Sequence, residues 1–284
     1  MNSGKHKLPL THASSRPPTD GAKYLDSSVC KQSVGDDLTY RFSARFYDLF
    51  GSKDDLEFYK ELALQSGDNA LELGVGTARV AIPLAREGVR VVGIDNSEYM
   101  LKVAREKLVK ESESVRDLVN LERGDMKKFE LGQTFDLIYI PASTFDHCVT
   151  DLDRKQCLGC IHKHLKGGGS LAFDIEQATL ERPKASWWVD RKEIKEDMMV
   201  VRTIFMRRDF DKRICSLDLF FDSYYSGKLV ERYHEYGEVA ILFKDEVEDL
   251  LEQSGFKVEA VYGDFDKSEP QKDSPRAVFL TSKR

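Results

Sequence analysis

The sequence predicts an α/β protein: a doubly wound, seven-stranded, mostly parallel sheet carrying an antiparallel β insertion that forms a lid. Three observations carry this. From Asn69 to Glu176 short β-type runs alternate with stretches of helical period, and such βα units imply a parallel sheet covered on both faces. Between residues 178 and 240 the pattern becomes long runs rich in β-branched and aromatic residues, joined at DKR and SGK, which predicts antiparallel hairpins. A helix and two further β runs then return to complete the sheet.

Residues 1–36 are rich in Ser, Pro, Thr, Lys and Asp without apolar period, and read as a flexible tail ahead of a folded domain over 37–284. YRFSARFYDLF and DDLEFYKELALQ space apolar and aromatic residues as amphipathic helices do. NALELG, VRVVGID, VNLERGD, FDLIYIPA and SLAFDIE are the first five strands. VAIPLAREG, SEYMLKVAREKLVKE and RKQCLGCIHKHLKGGG are the helices between them, the last with a glycine stop. In the insertion, MMVVRTIFMRRDFD, RICSLDLFFDSYYSG and KLVERYHEYGEVA are the strands. KDEVEDLLEQSG, FKVEAVYGD and RAVFLTSK supply the closing helix and the last two strands.

Composition narrows the function. With 43 basic against 49 acidic residues, a net charge of −6 and a pI near 5.7, no global field draws the chain to nucleic acid or to an anionic membrane. No apolar run reaches the roughly 18 residues a membrane span needs, and the polar start MNSGKHKLPL lacks a signal-peptide core, so the expected location is cytoplasmic. Five cysteines, an odd number, argue for reduced thiols over a disulfide framework.

LELGVGTARV places Gly74 and Gly76 between a strand and a helix, where backbone amides and the positive helix end face a ligand. A dinucleotide fingerprint needs a third small residue where this chain has Arg79, whose stem would spoil close helix packing. The pattern acidic-x-G-x-G-x-small fits Glu72, Gly74, Gly76 and Ala78, and resembles the first motif of class I S-adenosylmethionine-dependent methyltransferases.

Further segments resemble that family in order and spacing across residues 71–174. The resemblance implies that Asp95, ending VVGID, accepts both ribose hydroxyls, with Asn96 beside it and Met100 near the adenine. It implies that Asp125 of ERGDMKKF accepts the adenine amino proton and that Met126 walls the ring. It also implies that Pro141, ending the fourth strand, lies toward the methyl group. RFSARFYDLF resembles the N-terminal segment of the glycine, aminosugar and peptide N-methyltransferases, with Tyr47 as the tyrosine that helps to cover the cofactor. The implied reaction moves a methyl group from S-adenosyl-L-methionine to a small-molecule acceptor, with an amine among the candidates, and the protein acting as a monomer or homodimer.

Several positions keep a second reading. Asp95 competes with Ser97 for a helix cap, and Arg79 suits either the cofactor carboxylate or a surface ion pair. His147, after the fourth strand, is the candidate base by position and intrinsic pKa, with a solvent-facing loop histidine as the alternative. Tyr225 and His234 are the candidates from the insertion, with Ser143, Thr144 and Glu235 also near the expected methyl position. Cys157, Cys160, His162 and His164 in CLGCIHKH are potential zinc ligands, but zinc sites draw their pairs from separated segments, and no metal is expected. A dinucleotide-dependent reductase and a catalytically silent fold acting as a binding or regulatory subunit are the rival functions.

Overall fold

A computed structural model of the protein describes residues 40–284 apart from Leu180 and Glu196; the expectation of a flexible tail over 1–36 lies outside the described residues. A 3-10 turn, Ser43–Phe46, runs into the single-turn helix α1 (Tyr47–Phe50), and α2 (Leu56–Ser66) follows. The βα region then reads β1 (Asn69–Leu73), α3 (Ala81–Arg86), β2 (Arg90–Asp95), α4 (Glu98–Leu108), a single-turn α5 (Glu113–Arg116), β3 (Val119–Arg123), β4 (Phe135–Ile140), α6 (Asp151–His164) and β5 (Leu165–Glu176). The insertion contributes β6 (Ala185–Lys195), β7 (Met198–Asp209), β8 (Ile214–Tyr225) and β9 (Lys228–Ala240). The chain closes with α7 (Lys244–Gln253), β10 (Phe256–Tyr262) and β11 (Arg276–Lys283).

The large sheet has seven strands in the order β10-β11-β5-β4-β1-β2-β3. The pairs β1–β2, β2–β3, β1–β4 and β4–β5 are parallel, and β11 runs antiparallel to both of its neighbours. Alternation along β4 shows why helices cover both faces. Ile138 and Ile140 pack with Cys157, Leu158 and Ile161 of α6 on one side, while Leu137 and Tyr139 pack with Phe58, Tyr59 and Leu101 on the other. Local signals place the helix ends. Thr150 and Asp153 form a reciprocal cap on α6, Ser97 caps α4 by accepting from Met100 N, and Gly255 follows α7 at φ +86°.

Two features depart from the sequence reading. Gly167, Gly168 and Gly169 do not stop a helix: α6 passes directly into β5, and the register with β4 jumps from Leu165 to Ser170, so the glycines bulge out of the strand. A Cβ on Gly169 would lie 3.0 Å from the Asp136 carbonyl oxygen, which favours glycine there. The insertion has four strands, in the order β6-β7-β8-β9, not the three that stand out in the sequence. Its β6 contains the charged run Asp190–Glu193, which masks the apolar alternation.

The insertion does not stand apart. Phe46 stacks on Phe221 with ring centroids 5.5 Å apart, and Leu49, Phe50 and Val200 join them in one buried cluster. The N-terminal segment therefore bridges the β insertion to the glycine turn, where Thr77 Oγ1 donates to Asp48 at 2.5 Å and Lys107 pairs with the same carboxylate at 2.7 Å.

Candidate active site

Ligands in doubly wound sheets bind beyond the carboxyl ends of the strands, and here those ends gather Gly74, Asp95, Asp125, Pro141 and Asp174. After β1 the backbone takes positive φ at Gly74 (+70°), Gly76 (+54°) and Ala78 (+57°). The two glycines serve different ends. A Cβ on Gly74 would strike Thr144 Cγ2 at 2.3 Å, whereas one on Gly76 would meet only the Gly74 carbonyl oxygen at 3.9 Å. Gly74 is thus a packing requirement, and Gly76 leaves open room beside the turn.

Asp95 is fixed next to that opening. Its Oδ2 accepts from Gly76 N and its Oδ1 from Ser97 N, both at 2.8 Å. Burial pushes its pKa above the usual carboxylate range, and the two amide hydrogen bonds oppose the shift. Because Ser97 caps α4, Asp95 is not needed as the cap, and each of its oxygens keeps a lone pair for a further donor. An oriented carboxylate beside an uncrowded glycine turn fits a vicinal diol and the nucleoside that carries it.

The remaining expected cofactor residues divide. Pro141 and Met100 are buried around the strand ends, Asn96 is exposed with its carbonyl accepting from Arg123 Nε, and Met126 packs on the core with Phe129 and Leu131. Asp125 keeps a third of its side chain accessible while Oδ1 accepts from Lys127 N at 2.9 Å. Two expectations are refined. Arg79 forms the ion pair of its alternative reading, but largely buried and not at the surface: it holds both oxygens of Asp55, at 2.6 and 2.5 Å, with side-chain exposures of 12% and 5%. Glu72 is 1% exposed, so it supports the turn from beneath. It accepts from the Tyr139 hydroxyl at 2.8 Å, and burial pushes its pKa up to about 8.

Past β4, Ala142 and Ser143 both take left-handed φ, 60° and 54°. Asp174, at the end of β5, holds this bend by accepting from Ser143 N at 2.9 Å and Ser143 Oγ at 2.8 Å, while Tyr59 donates to its other oxygen at 3.2 Å. Burial pushes Asp174 up to about 6. The bend delivers the 3-10 turn Thr144–His147 to the rim of the site. His147 is not a solvent-facing loop residue: its Nε2 lies 3.0 Å from the Tyr40 hydroxyl, and burial holds its pKa below the ordinary imidazole value. Tyr40 also packs edge-on against Tyr47, ring centroids 6.2 Å apart, and burial together with Tyr47, Asp95 and Glu235 pushes its hydroxyl well above the usual phenol range.

Of the three insertion residues expected, the structure turns Glu235 inward and leaves Tyr225 and His234 outside. Tyr225 ends β8 at the hairpin, 57% exposed. It lies six positions along β8 from Leu219, the partner of Glu235, which is roughly 20 Å at strand rise. His234 points to the outer face, stacked on Phe220 and 2.8 Å from Asp218. Strand alternation turns its neighbours inward. Tyr233 stacks on Phe42, and Glu235 Oε1 accepts from Phe42 N at 2.5 Å and Ser43 N at 3.2 Å. Glu235 Oε2 is buried without a hydrogen-bond partner among the described residues.

Tyr40 and Asp174 are the members the sequence reading missed. Asp174 carries the same signal as Asp95, an acid ending an apolar parallel strand; Tyr40 carries none, because its role comes from a contact with a residue 107 positions away. The CLGCIHKH residues have other occupations: Cys160 Sγ donates to the Lys127 carbonyl, and His164 accepts from Leu131 N at its Nε2. Among the described residues no group of three His, Cys, Asp or Glu side chains is placed to hold a metal.

Residues 70–169 match the family described as a methyltransferase domain. YqeM of Bacillus subtilis (strain 168), named a methyltransferase, is 27% identical over 252 residues, covering 87% of this chain and 98% of its own. A similarly named protein of Geobacillus sp. (strain WCH70) is 23% identical over 268 residues, covering 87% and 100%. Among solved structures, the CcbJ methyltransferase from Streptomyces caelestis superposes with a TM-score of 0.75 at 21% identity, over 88% of this chain and 99% of that one. An S-adenosylmethionine-dependent methyltransferase from Clostridium acetobutylicum ATCC 824 gives 0.72 at 19% identity, over 86% and 98%.

Proposed function

We propose that this chain, whose residues 70–169 match a methyltransferase domain, moves a methyl group from S-adenosyl-L-methionine to the amine of a small molecule held beneath the β insertion. The observation that carries the reading is the Tyr40–His147 pair, 3.0 Å apart at the rim of the Gly76–Asp95 opening. Structural neighbours of the same fold add support: an amino pentose methyltransferase, a sugar N-methyltransferase and a glycopeptide N-methyltransferase align over 83–89% of this chain.

Bound S-adenosyl-L-methionine supplies a methyl group already activated on a sulfonium, so no covalent enzyme intermediate is required. The chain must place the acceptor in line and exclude water. Asp95 accepts the ribose hydroxyls, and Gly76 admits the nucleoside alongside the turn. Asp125 and Met126 take the adenine edge and face, and Tyr47 covers the site from the N-terminal segment. An amine is protonated at neutral pH and must lose a proton before it attacks. His147 is neutral there, because burial disfavours imidazolium, and can receive that proton at Nε2 through the Tyr40 hydroxyl. Strands β6–β9 form the lid, with Tyr233 and Glu235 facing the acceptor side.

Neither rival function gains support: Arg79 occupies the third-glycine place of a dinucleotide turn, and the opening at Asp95 argues against a silent pocket. The test is calorimetry with S-adenosyl-L-methionine and with NADH, followed by incubation of labelled S-adenosyl-L-methionine with pooled small-molecule amines and mass analysis of products. Binding of NADH without S-adenosyl-L-methionine would overturn the reading.

A further inference from the structure

The turn that seats Tyr40 has no cap of its own. Phe42 stands at the start of the 3-10 turn Ser43–Phe46 and offers no side-chain acceptor, so the first amides of the turn need a partner from elsewhere. Glu235 supplies it from the last strand of the insertion, its Oε1 accepting from Phe42 N at 2.5 Å and from Ser43 N at 3.2 Å. Two neighbours on the same face of β9 hold the same segment. Tyr233 stacks on Phe42 with ring centroids 4.6 Å apart, and Glu231 pairs with Arg45 at 2.6 Å. The Glu231–Arg45 pair is open to solvent and adds little, whereas Glu235 is 2% exposed.

The hold reaches Tyr40 through the main chain. Ala44 N donates to the Tyr40 carbonyl at 3.1 Å, so the backbone that Glu235 fixes at Phe42 and Ser43 closes directly on Tyr40. The Tyr40 hydroxyl then meets His147 Nε2 at 3.0 Å, with the two rings edge-on and their centroids 6.0 Å apart. The turn Thr144–His147 also packs against β9, so one strand bears on both partners of the pair. The other fastening of the segment, Thr77 on Asp48, lies beside Gly76 and next to Tyr47, and serves the cofactor side.

We propose that Glu235 is a positioning residue for proton removal: by fixing the amides of Phe42 and Ser43 it sets the Tyr40 hydroxyl against His147. This rests on the methyl-transfer reading above, in which that pair takes the proton of the acceptor amine. Glu235 carries no proton itself. It removes the freedom of the N-terminal segment in advance, so that the hydroxyl already stands at hydrogen-bond distance when the acceptor arrives. The insertion and the segment thereby act as one assembly, and a displacement of β9 is a displacement of Tyr40.

The test has two arms, and the first needs no substrate. The ring-nitrogen NMR resonances of His147, assigned by their absence from His147→Asn, report its hydrogen bond to Tyr40. Glu235→Ala should shift them in the same direction as Tyr40→Phe does, whereas Glu235→Gln, which keeps an oxygen for both amides, should leave them at the parent position. Unmoved resonances in folded Glu235→Ala overturn the proposal. The second arm measures turnover with an amine that the parent methylates. Glu235→Ala should lower kcat about tenfold, as Tyr40→Phe does, while affinity for S-adenosyl-L-methionine stays within about twofold because the Thr77–Asp48 fastening is intact. Adding Tyr40→Phe to Glu235→Ala should cost less than about twofold more, since the two act on one contact, and Glu235→Gln should restore kcat to within about threefold of the parent. Losses that multiply to about 100-fold in the double variant, or a Glu235→Gln variant as impaired as Glu235→Ala, would mean that Glu235 acts on the acceptor and not through Tyr40, which overturns the proposal. Where Glu235→Ala does not fold, Glu235→Asp, which keeps the charge but ends one methylene short of the amides, takes its place with the same expectations. If His147 responds as expected and no amine is methylated, the functional reading is overturned while the hold of Glu235 on Tyr40 is upheld.

Discussion

The Tyr40 hydroxyl and His147 Nε2 lie 3.0 Å apart, joining the first described residue of the chain to the turn after β4. The pair exists only when the N-terminal segment is seated, and that segment is fastened at both ends. Thr77 holds Asp48 on the glycine side, and Glu235 takes the amides of Phe42 and Ser43 on the insertion side. Removing the imidazole by His147→Asn should lower kcat by on the order of 100-fold, the usual scale for a general base, with calorimetric affinity for S-adenosyl-L-methionine unchanged. Tyr40→Phe should lower it about tenfold. In the parent protein kcat/KM should fall on the acid side only below pH 6.5, because burial moves the imidazole pKa down. An acid limb with its midpoint above pH 7 in that profile would remove His147 from the role.

Asp95→Ala removes the acceptors proposed for the ribose diol. Affinity for S-adenosyl-L-methionine should drop tenfold or more, in line with about 1.5–3 kcal/mol for hydrogen bonds to a charged group. Isothermal calorimetry on the folded variant measures it, and an unchanged dissociation constant would contradict the assignment.

His234→Ala serves as the complementary control. Since His234 faces outward onto Phe220 and Asp218, turnover should stay within about twofold of the parent. A loss of 100-fold would place the histidine back in the site.

The Arg79–Asp55 pair should matter for stability more than for binding. Arg79→Ala leaves the Asp55 carboxylate buried without its partner, which costs about 3–5 kcal/mol. Replacing both, as Arg79→Met with Asp55→Leu, should recover most of that loss. Denaturant melts of the two single variants and the double variant test the coupling; additive losses would mean the pair is not coupled.

Glu72 gives a pH-dependent expectation. Its folded pKa, about 8, lies above the unfolded value near 4.5, so its favourable contribution is complete below pH 4.5 and is lost as pH rises through 8. Glu72→Gln should therefore flatten stability between pH 5 and 9, gaining several kcal/mol relative to the parent at the upper end. Thermal melts across that range check the slope; parallel curves for the two proteins would show that Glu72 is already ionised at neutral pH.

The parts legible in the sequence were those encoded locally. Period and punctuation predicted the seven strands, the glycine turn and the β insertion, because Gly74, Asp95 and Gly255 each announce a backbone requirement or an acid at an apolar strand end. Side-chain destinations were less legible. Arg79 is three residues after Gly76, yet its partner is Asp55, which lies before the second helix, and nothing in either neighbourhood points to the other. On β9, choosing His234 over Glu235 was a choice of sheet face, and a single-residue difference reverses the face. Aromatic and charged residues occupy both sides of that strand, so no apolar alternation fixed which side was inward.

The place of β11 has a consequence for how the chain is made. Residues 276–283 lie between β5 and β10 and are hydrogen-bonded to both, so a strand synthesised late must slot between two made earlier. Until it leaves the ribosome, β5 presents an open edge and the buried faces of Phe173 and Ile175 lack Phe279 and Ala277. The half that contains Gly76 and Asp95 is complete at that point, but the sheet is not. Nascent chains interrupted before residue 276 should therefore collect as species prone to pair edge to edge, with chaperone demand persisting until β11 emerges.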